Sequence, residues 1–153
     1  MVATYAAHHL LAKSNAGMFD FDPDATTATL AVLGPGLEAV ADKCLPIANF
    51  RRFKAGLMRS VGTGTVSSFK VIAATAAAGT GNTAVVTHAI GSAPDAVGDY
   101  IWLEVDAEQI HEVLAAATHV GVEIALATST DECVVYFERA DPIYPRADLT
   151  DDY

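Results

Sequence analysis

Charge is scarce in this sequence. Only 18% of the 153 residues are Asp, Glu, Lys or Arg, against ~25% in ordinary soluble domains. Long apolar runs are missing too: no stretch approaches the ~18–20 residues that a membrane-spanning helix needs. Met1 to Leu11 holds two histidines and neither Lys nor Arg ahead of its apolar residues, unlike a secretory leader. There are two cysteines, Cys44 and Cys133, far apart and flanked by apolar residues. That spacing excludes a disulfide scaffold or a paired-thiol metal site and predicts two buried, reduced thiols. Neither a G-x-S-x-G nucleophile turn nor a G-x-x-x-x-G-K-[ST] phosphate loop occurs, so the usual signatures of acyl and phosphoryl transfer are absent.

What remains is apolar and small. Apolar residues make up 52% and mean hydropathy is +0.30, which argues against global disorder. A chain of this length buries enough surface to hold a core without cross-links. So bland a surface predicts a chain that spends its time in contact with others.

The charges present are unevenly placed. The net charge is −10, from 19 acids and 9 bases. Lys43, Arg51, Arg52, Lys54, Arg59 and Lys70 fall in one segment, 43–70, which contains no acid. Three bases elsewhere face all 19 acids. Such a block is either a footprint for a negative partner or is neutralised by acidic surface of the same or a neighbouring chain. Nucleic acid is not expected as a partner, because the strongly acidic remainder repels phosphate.

Residues 1–35 lack sustained periodicity and read as an N-terminal arm. Within it Phe19 and Phe21 sit two apart, as on one side of a strand, and 26–33 has strand composition. Residues 36–60 read as a short helix and a basic linker, with Leu37, Val40, Ala41 and Cys44 forming one helical stripe over 36–45. Residues 61–140 read as a β-rich domain. Strands are expected over 65–77 and 83–90, joined by the Gly79-Thr80-Gly81-Asn82 turn into a hairpin. A third covers 100–105, with Ile101, Leu103 and Val105 opposite Tyr100, Trp102 and Glu104. Asp106 with Gln109 three residues on forms a capping box for a helix over 106–118, whose stripe is Ile110, Val113, Leu114 and Ala117, with Gly121 as the stop. Strands 122–128 and 133–139 are expected to pair as a second hairpin. Residues 141–153 form an extended acidic tail. The fold class is therefore mainly β: a small antiparallel β-sandwich or barrel with one or two short helices, an arm and a tail.

Candidate chemistry is thin. Gly79 to Ala84 fits G-x-G-x-x-A, but a dinucleotide site requires a helix to follow, and a strand follows here. His111 and His119 are eight residues apart, ~12 Å along a helix and too far to share a metal ion; His8, His9 and His88 lie elsewhere. Glu104 and Asp106 are explained by a strand end and a helix cap. No catalytic residue, cofactor or metal is expected. Tyr100, Trp102, Tyr136 and Phe137 read as core or edge packing, with an intersubunit contact as the other reading. The candidate protein-interface residues are Phe19, Phe21, Phe50, Arg51, Arg52, Phe53, Leu57, Met58 and Arg59, because Arg, Phe and Met are favoured at contact centres and 50–59 lies in the linker; a local structural role is the equal alternative for 50–59.

The stretch Gly62-Thr63-Gly64-Thr65-Val66-Ser67-Ser68-Phe69-Lys70 begins a run of similar texture. Ala78-Gly79-Thr80-Gly81, Asp95-Ala96-Val97-Gly98-Asp99-Tyr100-Ile101 and Ser129-Thr130-Asp131-Glu132-Cys133-Val134-Val135-Tyr136 continue it. Across 58–146 the sequence resembles tailed-bacteriophage virion proteins, most of all the head decoration (cement) proteins. The resemblance implies a non-enzymatic role in the virion, assembled in the host cytoplasm. The implied partner is a major capsid protein whose neighbouring subunits are clamped together, and the implied state is a homo-oligomer, with a trimer favoured. Neither nucleic acid nor membrane is implied as a partner. No site residue carries over. With the arm and basic segment facing the shell, removal of 1–33 is expected to weaken particle binding and leave the β-domain folded. The alternatives are a tail or head–tail joining component and, from another class, a small intracellular metabolite-binding domain or enzyme subunit.

Overall fold

Alternating burial lays down the strands. In the computed structural model the described residues are 14–21, 30–33, 44–62, 66–88, 96–127 and 131–143. They form β1 (Ser14–Phe21), β2 (Leu30–Leu33), β3 (Leu45–Pro46), β4 (Phe50–Val61), β5 (Val66–Ala74), β6 (Thr83–Thr87), β7 (Tyr100–Asp106), α1 (Ala107–Val113), β8 (His119–Leu126) and β9 (Glu132–Pro142). All pairing is antiparallel. One sheet runs β1-β9-β4-β7 and the other β2-β8-β5-β6, with β3 also on β8. The two do not close into a barrel among the described residues; the fold is a β-sandwich.

The core lies between the sheets. Phe53, Ala55, Leu57, Leu103, Val105, Cys133, Val135 and Phe137 from the first sheet meet Val66, Phe69, Val71, Ala73, Val120, Val122, Ile124 and Leu126 from the second. In 100–105 the expected faces are those observed, with Leu103 and Val105 buried and Tyr100, Trp102 and Glu104 exposed. Cys44, Ile72 and Ala74 make a small second cluster, so both cysteines are buried.

The β5–β6 hairpin forms as expected. Gly79 and Gly81 take positive φ in its turn, where a side chain would be strained, and Asn82 Nδ2 donates to Gly79 O at 3.0 Å. The capping box also forms: Gln109 N–H donates to Asp106 Oδ1 at 2.8 Å. The helix, however, stops at Val113 and not near 118, and Gly121 lies inside β8. Tertiary bonds overrule local propensity here. Thr118 N–H donates to Ala74 O and Ile47 N–H to Thr118 O, both at 3.0 Å, which draws 117–118 straight and starts β8 beside β5. Ile110 still enters the main core.

Three other expectations are corrected. Strands 122–128 and 133–139 do not pair as a hairpin: β8 belongs to one sheet and β9 to the other, so the chain crosses the sandwich between them. The supposed linker 50–59 is the long inner strand β4, paired on both sides. The arm contributes β1 to β9 and β2 to β8. Removing 1–33 would therefore expose two strand edges and is not a clean deletion. The expected helix over 36–45 lies mostly outside the described residues, as does most of the tail; of the former only Cys44 and Leu45 are described, Leu45 in β3.

The end of β4 is held by a buried ion pair. Arg59 and Asp131 are each 1% exposed, with Nη2 and Oδ1 3.2 Å apart. Gly62 closes over the pair. Its φ is +105°, and a Cβ there would lie 1.9 Å from Asp131 Oδ1. The pair thus joins the end of β4 to the start of β9, where the crossing from the other sheet arrives.

Candidate functional site: an aromatic groove on the outer face

The interface candidates separate into two groups. Phe50, Phe53, Leu57 and Arg59 are buried within the chain and present no surface to a partner. From Phe53 on, every second side chain of β4 faces the core; Phe50 stands off that alternation and is covered by Arg139, whose Cζ sits 4.5 Å from the ring centroid. Arg51, Arg52 and Met58 are exposed. Phe19 and Phe21 lie in β1, at register positions opposite Val135 and Cys133.

The basic segment is not one footprint. Arg52 pairs with Glu104 and Asp141, each at 3.3 Å, Arg59 pairs with Asp131, and Lys70 pairs with Glu123 at 2.6 Å. Lys54 stands between Glu104 and Glu138 across the strands. The acids come from β7, β8 and β9 and the loop before β9, so three of the six bases are ion-paired within the chain, while Arg51 is exposed and Lys43 lies outside the described residues. This is the self-complementation alternative.

Outward-facing residues of the first sheet fall into transverse rows. Tyr100, Met58 and Val134 make one row, Trp102, Gly56 and Tyr136 the next, then Glu104, Lys54 and Glu138. The first two rows form an apolar groove of about 460 Å³. Tyr100 is 65% exposed, Trp102 50% and Met58 42%. The indole lies over Gly56, where a Cβ would come within 2.5–2.8 Å of three ring carbons. Its edge meets Tyr136, with centroids 5.4 Å apart and planes at 74°, a favoured aromatic geometry. Tyr136 Oη donates to Glu138 Oε2 at 2.6 Å, fixing the ring beside the charged row. Glycine at 56 is therefore the seat that makes Trp102 a platform.

Gly56→Val is expected to unseat the indole while the strand persists, because the obstructing atoms are the far end of an exposed side chain. Trp102 is the only tryptophan in the chain, so its fluorescence reads this directly. A red-shifted emission with retained β-sheet circular dichroism is the expected result; an unchanged spectrum would show that the indole does not rest on Gly56.

Sequence reasoning placed Tyr100 and Trp102 opposite the core face of their strand, which was the available signal. It did not connect them with Gly56 and Met58, since β4 was not read as a strand. Elsewhere Asp106 serves as the helix cap, Glu104 pairs with Arg52, and His119 Nδ1 lies 2.8 Å from Thr118 Oγ1. Among the described residues no group of three His, Cys, Asp or Glu could hold a metal ion. A second hollow of about 340 Å³ lies by Ile47, Phe50, His111 and Ile143, with His111 the one ionisable group among the described residues that line it.

No family model and no curated protein matches the sequence. Solved structures give loose likenesses. One comes from Bacillus endospore appendages, described as a family of disulfide-linked pili: identity is 16%, coverage 83% of this chain and 86% of that one, TM-score 0.42. Another is the K1 cleaved adhesin domain of Lys-gingipain from Porphyromonas gingivalis W83, at 12%, 83%, 98% and 0.43 in the same order. A third is the SPBc2 prophage-derived protein YomS, at 15%, 82%, 93% and 0.35. From likenesses at this level no activity or partner follows.

Proposed function

We propose that this chain is a non-enzymatic structural protein of a tailed-phage virion. In this reading it is a decoration subunit that binds the outside of the capsid and clamps neighbouring copies of a major capsid protein. The observation that carries the adhesive part is the aromatic groove. Trp102, Tyr100, Met58 and Tyr136 sit together on an outer sheet face, where burial of apolar area drives association. Trp and Tyr are the residue types that dominate binding free energy at protein contacts. The capsid as the partner comes from the sequence resemblance.

A small-molecule site is the competing reading, since the groove's volume falls within the range of ligand pockets. Its lining argues otherwise: Gly56, Leu57, Met58, Val134 and three aromatics bring few polar groups to a common point, and the Tyr136 hydroxyl is already engaged by Glu138.

The test is recovery on particles. The wild-type chain is expected to copurify with virions in many copies. Met58→Glu combined with Tyr136→Ser is expected to lower retention at least about tenfold, the equivalent of ~1.4 kcal/mol, with the circular dichroism spectrum kept. Equal retention of the double variant would remove the groove from the contact, and absence of the wild-type chain from purified particles would remove the virion.

A further inference from the structure

We infer that β7 is a pairing edge for a second copy of this chain, joined antiparallel about a two-fold axis at Trp102. The inference rests on the reading of this face as adhesive, but it names a different contact.

The phase of the backbone groups comes first. In an antiparallel pair, residues alternate between turning N–H and C=O toward the partner strand and away from it. Arg59 N–H donates to Asp99 O at 3.1 Å. Counting on in steps of two, Ile101, Leu103 and Val105 turn toward β4, and Tyr100, Trp102, Glu104 and Asp106 turn toward the open side. The capping box agrees: Asp106 N–H donates to Gln109 Oε1 at 3.0 Å, away from β4. Asp106 is thereby occupied and ends the edge. Tyr100, Trp102 and Glu104 remain, with three N–H and three C=O groups for which no strand partner exists among the described residues.

From Tyr100 to Glu104 the edge carries none of the devices that usually discourage pairing; a bulge precedes it, where Gly98 N–H donates to Arg59 O and Arg59 N–H to Asp99 O. Edges are protected by proline, lysine or a bulge. β7 has neither residue, and its register with β4 runs without a shift from Met58↔Tyr100 to Arg52↔Asp106. By contrast, β6 pairs through a register shift, and β3 contains Pro46.

Only one two-fold register uses all three residues: Trp102 opposite the partner's Trp102, and Tyr100 opposite the partner's Glu104, twice. It is complementary in chemistry. The phenol can donate to the facing carboxylate across the strands, while each indole stays over its own Gly56, turned away from the junction. The two Glu104 side chains fall four residues apart along the strands, about 13 Å, beyond the Debye length of ~8–10 Å at physiological salt. The contact is isologous, so it closes as a dimer. The trimer implied by the sequence resemblance would need a different, heterologous contact.

The full-length chain tests this by its mass in solution and by cross-linking. The wild type should approach twice its 16.0 kDa as concentration rises. Glu104→Pro removes an edge N–H that serves no bond within the sheet; it should remain monomeric, at least tenfold weaker in self-association, with a normal circular dichroism spectrum. Trp102→Cys should oxidise to a disulfide-linked dimer, since directly paired residues stand ~5.5 Å apart at Cα, within disulfide reach. Glu104→Cys should not. A wild type that stays monomeric at millimolar concentration, a trimer, or cross-linking through residue 104 in place of 102 would overturn the inference. Should Glu104→Pro fail to fold, the two cysteine variants still decide. A wild type that never dimerises yet is retained on particles would sink this contact alone; loss of retention in Met58→Glu/Tyr136→Ser with the dimer intact would concern only the groove.

Discussion

Asp131→Ala is expected to destabilise the fold by about 3–5 kcal/mol, because it leaves the Arg59 guanidinium charged in a site that is 1% exposed. In a chain of this length that corresponds to a fall on the order of 10 °C in Tm, measurable by thermal or urea denaturation. The loss comes from stranding a charge and not from removing an attraction of that size. Arg59→Met combined with Asp131→Leu should therefore recover much of it, since apolar replacements of buried ion pairs are often neutral or better. A shift below ~1 kcal/mol for Asp131→Ala would mean that water reaches the pair. The location gives the number its meaning. The pair ties β4 to the start of β9 under Gly62, so loosening it frees the joint through which the chain passes from one sheet to the other.

Phe53→Ala is the second large effect, about 3–5 kcal/mol. Phe53 is fully buried between the sheets and stands in β4 between Val105 of β7 and Arg139 of β9. Its near neighbour Arg51 is exposed, and Arg51→Ala should move stability by no more than ~0.5 kcal/mol. The contrast separates two residues that the sequence grouped in one contact patch. Equal small effects at both positions would place Phe53 on the surface and remove β4 from the core.

β4 is also where the sequence was hardest to read, and the reason is local. Its inward side chains are Phe53, Ala55, Leu57 and Arg59; its outward ones include Arg52, Lys54, Gly56 and Met58. At the start Phe50 and Phe53 are both buried with exposed Arg51 and Arg52 between them, a spacing of three, and further on an arginine lies inside and a methionine outside. A buried ion pair and an exposed apolar groove each cancel the period-two signal. β7 also lends Tyr100 and Trp102 to the groove, but its core side chains Leu103 and Val105 keep the period of two, and its faces were legible. The Gly79–Asn82 turn and the Asp106–Gln109 cap were legible because each is written in adjacent residues. The crossing from β8 to β9 was not, because a short turn between two strands looks the same whether they pair or part. The groove draws its residues from three strands, 56 to 136, and no local pattern could assemble it.

The position of β9 governs how the chain comes into being. Among the described residues it is the last strand in sequence, yet it lies between β1 and β4 in the first sheet. A ribosome that has made β1 must add more than a hundred further residues before its partner exists, a wait on the order of ten seconds at ~5–20 residues per second. Until then β1 and one edge of β4 have nothing to pair with, and pairing at such separation is slow in any case. The nascent polypeptide is thus exposed to wrong strand partners for most of its synthesis, and truncations that remove β9 should yield insoluble product, not a smaller domain.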